Sequence, residues 1–267
     1  MKIHKIKAKS IITKSNLPEA DYVVNPYIGC MHSCIYCYAR FMKRFTGHSE
    51  PWGKFVDIKI NAPDLIPEKT NKYFNKSIFL SSVTDPYLSL ERKYKLTRKI
   101  LKKLIPLKPK LGIQTKSELI LRDIDLLKQF QDCAAGLTIT TLDSDLQKQI
   151  EPFASSPNAR INALKKLKQS KIKTYVFIGP IMPYLTDWKK IILKTKKYAH
   201  SYMFENLNVR GSIWPQIKTW LKAKHQDLLA KYENIYFSKN DFWNKIETEI
   251  KAFCKEKKVK YNIYFHH

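Results

Sequence analysis

Short apolar, β-rich runs alternate along this chain with stretches of helical period, and no other feature constrains the fold as strongly. The runs fall at 22–24, 78–83, 111–115, 137–141, 174–178 and 202–207, and the helical stretches between them at 35–44, 92–104, 121–130, 157–169 and 187–200. Within the second helical stretch, Leu96, Ile100, Leu101 and Leu104 have the spacing of one helix face. Strand and helix units in series fold as a parallel sheet covered by helices, joined by right-handed crossovers. The expected fold class is α/β, a partial (β/α)6 barrel of the TIM type. Chemistry in such a fold belongs at the carboxyl ends of the strands. Asn25-Pro26, Thr84-Asp85, Lys116-Ser117, Thr141 with Asp143, and Asn208 with Arg210 should therefore converge on one mouth.

The chain has 267 residues, and a single α/β barrel routinely runs to about 250. After Gly211 the character changes: Trp214-Pro215, Trp220, Tyr232 and Trp243 punctuate a helical, lysine-rich stretch ending in a short expected strand at 259–265. We expect a barrel with its lead-in over 1–212 and a helical C-terminal extension over 213–267, packed on the same domain because no linker rich in Gly, Ser or Pro separates them. The final His266-His267 pair is set aside from site reasoning.

Composition narrows the class. Hydrophobic residues make up 44% of the chain, enough for a substantial core, which excludes dominant disorder. The most apolar stretch, 175–185, is short and broken by Gly179, Pro180 and Pro183, so no membrane span is expected. The charged N-terminus lacks the apolar segment of a secretory signal, which points to the cytoplasm. Five cysteines, an odd and small number, do not make a disulfide framework. The net charge of +26 attracts polyanions, nucleic acid foremost. Lysine supplies 42 of the 49 basic residues and is spread along the chain, so a lysine-rich composition accounts for the same number.

Cys30, Cys34 and Cys37 follow the first expected strand. Three thiolates at this spacing can face one ligand, and soft sulfur selects zinc or an iron–sulfur cluster. Structural zinc wants four protein ligands. His32 is one candidate for the fourth, whereas Cys133 should sit at the opposite end of the barrel and Cys254 in the extension, both as small buried hydrophobes. A four-iron cubane on three cysteines instead leaves one iron without a protein ligand, able to bind a small molecule.

The Cys-x3-Cys-x2-Cys spacing with Tyr36 before the last cysteine resembles the radical S-adenosylmethionine (radical SAM) superfamily. The run from Asn25 to Arg40 is similar to its branch related to spore photoproduct lyase. Further matches follow in order: Thr84-Asp85-Pro86-Tyr87 with Glu91, Leu96-Thr97-Arg98, Thr115-Lys116-Ser117, 122–127, Thr140-Thr141-Leu142-Asp143, and Glu151-Pro152 through Arg160. The likeness spans about residues 10 to 225. It implies a partial barrel of the radical SAM kind and a 4Fe-4S cluster on Cys30, Cys34 and Cys37. The open iron would chelate S-adenosylmethionine, and one electron from a flavodoxin or ferredoxin type donor would yield methionine and a 5′-deoxyadenosyl radical. That radical abstracts hydrogen from a substrate, here unassigned and possible as nucleic acid, in a lyase or transferase type reaction. The competing reading is a nucleic-acid-binding protein whose cluster is structural or carries electrons.

The resemblance also distributes roles. Tyr36 would contact the adenine, Thr84 or Asp85 the ribose or amino group, Lys116 the methionyl carboxylate, and Thr140 or Thr141 would offer a hydroxyl. Arg160 would clamp the carboxylate or bridge helix ends, and the stretch around Ile181 would contact adenine through its backbone. Glu205, Asn208 and Arg210 are expected at the substrate, while Arg122, Asp123 and Asp125 are read as structural, the aspartates as helix caps. One departure matters. Spore photoproduct lyase places a hydrogen-donating cysteine where this chain has Ser82, and an O–H bond is too strong to replace S–H in that step.

Overall fold

Strands form where apolar residues can be buried on one face or on both. In the computed structural model, which describes residues 1–266, Ser77–Leu80 and Ser201–Asn206 alternate buried and half-buried positions, while Lys173–Ile181 is buried almost throughout. The strands in chain order are β1 Lys2–Ile6, β2 Ile12–Lys14, β3 Tyr22–Val24, β4 Tyr27–Ile28, β5 Phe55–Lys59, β6 Ser77–Leu80, β7 Lys110–Thr115, β8 Asp132–Thr138, β9 Lys173–Ile181, β10 Ser201–Asn206 and β11 Lys260–Tyr264. The α-helices are α1 Glu91–Tyr94, α2 Leu96–Leu104, α3 Ile124–Leu127, α4 Ser144–Ile150, α5 Pro157–Gln169, α6 Trp188–Thr195, α7 Ile213–Lys224, α8 Gln226–Phe237 and α9 Phe242–Glu256.

An eight-stranded sheet runs in the order β11-β10-β9-β8-β7-β6-β3-β2, parallel throughout except for the β2/β3 pair. It does not close into a full barrel, but its two edges curl toward one another. Asn262 Nδ2 of β11 donates to Glu19 Oε1, just ahead of β3, at 3.1 Å, and the Tyr264 hydroxyl donates to the same oxygen. The result is a partial barrel with the six expected strands and a seventh parallel one, β11. Interior packing is continuous: Ile78, Leu80, Leu111, Ile113, Leu137, Val176, Ile178 and Phe204 share one core with Ile100, Leu101, Leu104, Leu164 and Ile192 from the helices. Trp243, Ile250 and Cys254 of α9 belong to that same core, so α9 packs with the sheet and its helices.

Several expected boundaries move, for local reasons. The helix expected at 35–44 is a 3-10 helix at Tyr38–Phe45, because the chain from Cys30 to Cys37 is a loop with Ser33 in the left-handed region at φ 53°. The strand expected at 137–141 lies at Asp132–Thr138, where Gly136 leaves room for the Tyr175 ring that any Cβ would overlap. Downstream, Thr141 Oγ1 accepts from Asp143 N at 3.0 Å and begins the turn into α4. The stretch 92–104 divides into α1 and α2 at Lys95, which is left-handed at φ 51°. The run at 121–130 becomes a 3-10 turn, Glu118–Asp123, followed by α3, and α6 stops at Thr195 instead of residue 200.

A second sheet, β1-β5-β4, stands beside the barrel and is absent from the sequence expectation. β1 pairs with β5 in parallel and β4 with β5 antiparallel. This sheet floors the cysteine loop. Gly29 at φ +89° brings its Cα so close to Phe55 that an added Cβ would lie 2.4 Å from the Phe55 carbonyl oxygen.

Glu91 ties the lead-in to the barrel. Fully buried, it accepts from the Tyr27 hydroxyl and from Thr97 N at 2.9 Å, and it pairs with Arg122 Nη2 at 2.9 Å. Arg122 and Arg98 both reach Asp123, and Arg98 also grips Asp125 at 2.6 Å. Both aspartates expected as caps are thus held by arginines; Asp123 makes no side-chain cap bond, whereas Asp125 also accepts from backbone N–H groups in the first turn of α3. Glu91→Gln should lower unfolding free energy by about 2 kcal/mol, the scale of one charged hydrogen bond, because Arg122 keeps Asp123. Urea denaturation beside wild type checks this.

Candidate active site at the barrel mouth

The cysteine loop is anchored from every side. Thr84 Oγ1 donates to the Gly29 carbonyl at 2.6 Å, Ser33 Oγ donates to the Gly53 carbonyl at 2.8 Å, and Ile35 N donates to the Ile150 carbonyl at 3.0 Å. Gly53 sits at φ +88°, and a Cβ there would be 2.7 Å from Ser33 Oγ. His32, between the first two cysteines, is buried; its Nδ1 is 3.2 Å from the Phe153 carbonyl and its Nε2 is 3.1 Å from Asp85 Oδ2. Asp85 in turn accepts from Tyr87 N at 2.8 Å, Thr115 Oγ1 at 2.6 Å and Lys116 N at 2.9 Å. The ends of β6 and β7 and the cysteine loop therefore meet at one carboxylate. Burial opposes its charge, but His32, Thr115 and the Lys116 backbone hold it down to about 2.

Cys30 and Cys34 are buried and Cys37 is half-buried. Burial pushes all three thiols up, Cys34 to about 12; charge on Cys34 or Cys37 would raise Cys30 further, and charge on Cys37 would raise Cys34. Lys116 is one cation beside them, its ammonium 5.6 Å from the Tyr36 ring centre; burial works against its charge, yet Cys34 and Glu151 raise it overall. Beside Cys37 the indole N–H of Trp52 is buried without a protein acceptor, and it favours the Cys37 thiolate.

A second carboxylate organises the opposite wall. Glu151 is fully buried and accepts from the Tyr36 hydroxyl, from Thr140 Oγ1 at 3.0 Å and from Arg160 Nη2. Arg160, 1% exposed, also donates to the Thr138 carbonyl at 2.9 Å and the Ser155 carbonyl at 2.7 Å. Arg160 thus braces Glu151, the end of β8 and the segment leading into α5. Apolar residues close the space above: Cys34, Tyr36, Leu146, Ile150, Met182 and Leu207 form one cluster with Ile213, Ile217 and Leu221 of α7 and Leu228 and Tyr232 of α8. Trp220 Nε1 donates to Gln149 Oε1 at 3.2 Å and Tyr232 to the Pro183 carbonyl at 2.9 Å, pinning these helices in place.

The structure brings Cys30, Cys34, Cys37, Tyr36, Thr84, Lys116, Thr140 and Arg160 to this end of the barrel. Thr141 is buried but spends its oxygen on the Asp143 turn. Ile181 is buried, and its carbonyl accepts from Leu207 N at 3.2 Å. Glu205 lies against His266 Nε2 at 3.0 Å, and Asn208 Oδ1 accepts from Arg210 N at 2.9 Å. His266, set aside from the sequence, is therefore part of the fold, also exchanging hydrogen bonds with Asn206; His267 lies outside the described residues. Ser82 meets the site through its carbonyl, which accepts from the Tyr38 hydroxyl, while its own Oγ accepts from Asn25 Nδ2 at 3.2 Å. The organising role of Glu151 was missed in the sequence, where its only signal is the Glu151-Pro152 match.

The donor set fits an iron–sulfur cluster. Three thiols with raised proton affinity need a cationic core to become thiolates, and a stranded indole N–H stands ready for a sulfur acceptor. Glu151→Gln would leave Arg160 buried and unpaired, so it should cost about 3–5 kcal/mol, well beyond Glu91→Gln. Thermal and urea unfolding of the two variants side by side provide the check.

Comparison with known proteins agrees with this geometry. The sequence profile of the radical SAM superfamily matches residues 24–194. An uncharacterized protein of Methanocaldococcus jannaschii is 43% identical over 96% of this chain and 95% of its own length. Among solved structures, spore photoproduct lyase complexed with dinucleoside spore photoproduct superposes with a TM-score of 0.73 at 15% identity, covering 99% of this chain and 82% of that one. SuiB of Streptococcus suis bound to S-adenosylmethionine superposes with a TM-score of 0.60 at 14% identity, covering 92% of this chain and 50% of that one. With its three cysteines at the mouth of a partial barrel, the chain belongs to the radical SAM superfamily.

Proposed function

We propose that this chain is a radical SAM enzyme that cleaves S-adenosylmethionine reductively and directs the resulting radical at a hydrogen of its substrate, with nucleic acid as the substrate class. The observation carrying this reading is the set of three cysteines, two buried and Cys37 half-buried, beside Lys116 at the carboxyl ends of β3, β6 and β7. A 4Fe-4S cluster on Cys30, Cys34 and Cys37 supplies, when bound, one electron to the sulfonium, giving methionine and a 5′-deoxyadenosyl radical.

The protein's own groups do the rest. Lys116 offers a half-buried ammonium for the methionyl carboxylate, a charge-assisted contact. Tyr36 and Thr140, locked to Glu151, present a fixed ring and a fixed hydroxyl. Arg160 and Ile181 act behind them, the first bracing Glu151 and the second holding β9 to the start of the next loop. Thr84 keeps an oxygen available to accept while its hydrogen holds Gly29. The apolar cover from α7 and α8 keeps water from the mouth, as a radical intermediate requires. Glu205, Asn208 and Arg210, at the end of β10, are assigned to substrate contact; Glu205 lies close enough to Tyr38 to raise its hydroxyl, after burial and Cys37.

For the substrate class, support comes from the +26 charge and from the likeness in fold to a lyase solved with a dinucleoside photoproduct. Ser82 in place of the donor cysteine separates this chain's reaction from thymine-dimer reversal by the cysteine route. An external one-electron reductant of the flavodoxin or ferredoxin type completes the requirement. Among the described residues no helix is long and apolar enough to cross a membrane.

Anaerobically reconstituted protein, reduced with dithionite in the presence of S-adenosylmethionine, should release 5′-deoxyadenosine and methionine, and Cys34→Ala should release neither. Absence of deoxyadenosine from the wild type overturns the assignment. Lys116→Met should keep iron and sulfide content while weakening S-adenosylmethionine binding roughly tenfold, as expected for loss of one charged hydrogen bond. Isothermal titration under nitrogen reads it directly.

A further inference from the structure

Apart from the cysteine mouth, the second sheet carries a cluster that the proposed chemistry does not use. His4 of β1 and Asp57 of β5 are register partners in the parallel pair, and His48 reaches them from the loop that precedes β5. His48 Nε2 lies 2.8 Å and His4 Nδ1 3.6 Å from Asp57 Oδ1, and one ligand atom from each residue lies within 4.8 Å of the others. We propose that these three side chains bind a divalent transition ion of the zinc type.

Two imidazoles and one carboxylate form a borderline donor set. Such a set suits zinc and its neighbours and is too small and too nitrogen-rich for calcium or magnesium. Metal–ligand bonds of about 2 Å place tetrahedral ligands about 3.3 Å apart, so the His48–Asp57 contact opens slightly and the His4–Asp57 contact closes. A supporting shell is already built. His48 Nδ1 lies 3.2 Å from Glu50 Oε2, and Glu50 is held by Lys2 Nζ at 2.8 Å. A carboxylate behind the distal nitrogen keeps the proton there and leaves Nε2 as the lone-pair donor, the arrangement found behind metal-bound histidines. The His48 ring is fixed between His4, stacked at 5.1 Å, and Phe55, stacked at 3.9 Å.

Burial is graded as a site with an entrance requires. The side chains of His48 and Asp57 are buried at 6% and 9% exposure, whereas that of His4 is 46% exposed and opens the cluster to solvent, where water completes the coordination. The ion would staple β1 to β5, and Phe55 of β5 is the residue against which Gly29 packs under the cysteine loop. Its role is therefore to stiffen the floor of the mouth. Without an ion, His48 merely bridges two carboxylates, and His4 contributes little.

Cluster-loaded protein, in which the cysteines are occupied, is the material to test, with zinc uptake followed by competition against a chromophoric chelator and by metal analysis. Wild type should hold one zinc ion per chain beyond its iron and melt at higher temperature with zinc than with chelator. His4→Ala, an exposed substitution, should melt like wild type in chelator, lose the zinc-dependent shift and bind zinc at least tenfold more weakly. Glu50→Gln, which removes no ligand, should weaken zinc about tenfold. Equal zinc uptake by wild type and His4→Ala, or none by wild type, overturns the site.

Discussion

Placing three cysteine sulfurs in a buried cavity is a problem of charge, and the mouth of this barrel is built around it. A thiolate removed from water is unstable unless positive charge or hydrogen-bond donors stand close by. Here burial raises the proton affinity of all three thiols, and the protein supplies limited compensation: the Lys116 ammonium toward Cys34, the Trp52 indole and the Arg40 guanidinium toward Cys37. The loop must then be held without help from a regular helix. Gly29 on Phe55, Ser33 on Gly53, His32 between Asp85 and Phe153, and Ile35 on Ile150 do this through contacts to three separate parts of the chain.

Two buried glutamates divide the remaining work, and their surroundings differ in kind. Glu91 sits in a group with two arginines and two aspartates, open to solvent at Arg98, so the loss of one member is shared. Glu151 faces a single buried guanidinium and two hydroxyls, and burial works against its charge while Arg160 and Lys116 hold it ionised. Such a closed network is rigid when complete and costly when broken. Rigidity is useful there because Tyr36 stands one residue from Cys37 and shares its hydroxyl with the carboxylate.

Sequence periodicity revealed the parallel strands because apolar runs in a barrel are buried regardless of detail. It did not reveal β1 and β5 as a separate sheet. Lys2–Ile6 is exposed nearly throughout, so its hydrophobic pattern carries no signal, and Phe55–Lys59 is buried only because it lies under the cysteine loop. The cysteine spacing identified the metal centre, whereas side-chain partners were legible only where a residue type left little choice. A buried Arg must find a carboxylate, yet nothing local says that Arg160 chooses Glu151 rather than a ligand. Nor does any local pattern link His4 with Asp57, which meet only through strand register.

The large positive charge and the charges of the mouth are distinct features. Inside the mouth, the carboxylates of Asp85 and Glu151 are balanced by Lys116 and Arg160, so the buried charges nearly cancel. Most other lysines are exposed along the outer helices and loops. A field made this way is long-ranged, screened by salt and indifferent to sequence, so it draws a polyanion to the surface without selecting a position on it. Under the proposed nucleic-acid reading, selection would fall to the surface near the mouth. Exposed Tyr38 and Phe41, on the 3-10 helix that begins immediately after Cys37, present aromatic faces there, with Arg44 stacked on Phe41 and Phe45. On the proposal that nucleic acid is the substrate, rings beside a basic rim would suit unpaired bases better than a closed duplex, because a ring stacks only on a base that has left its own stack.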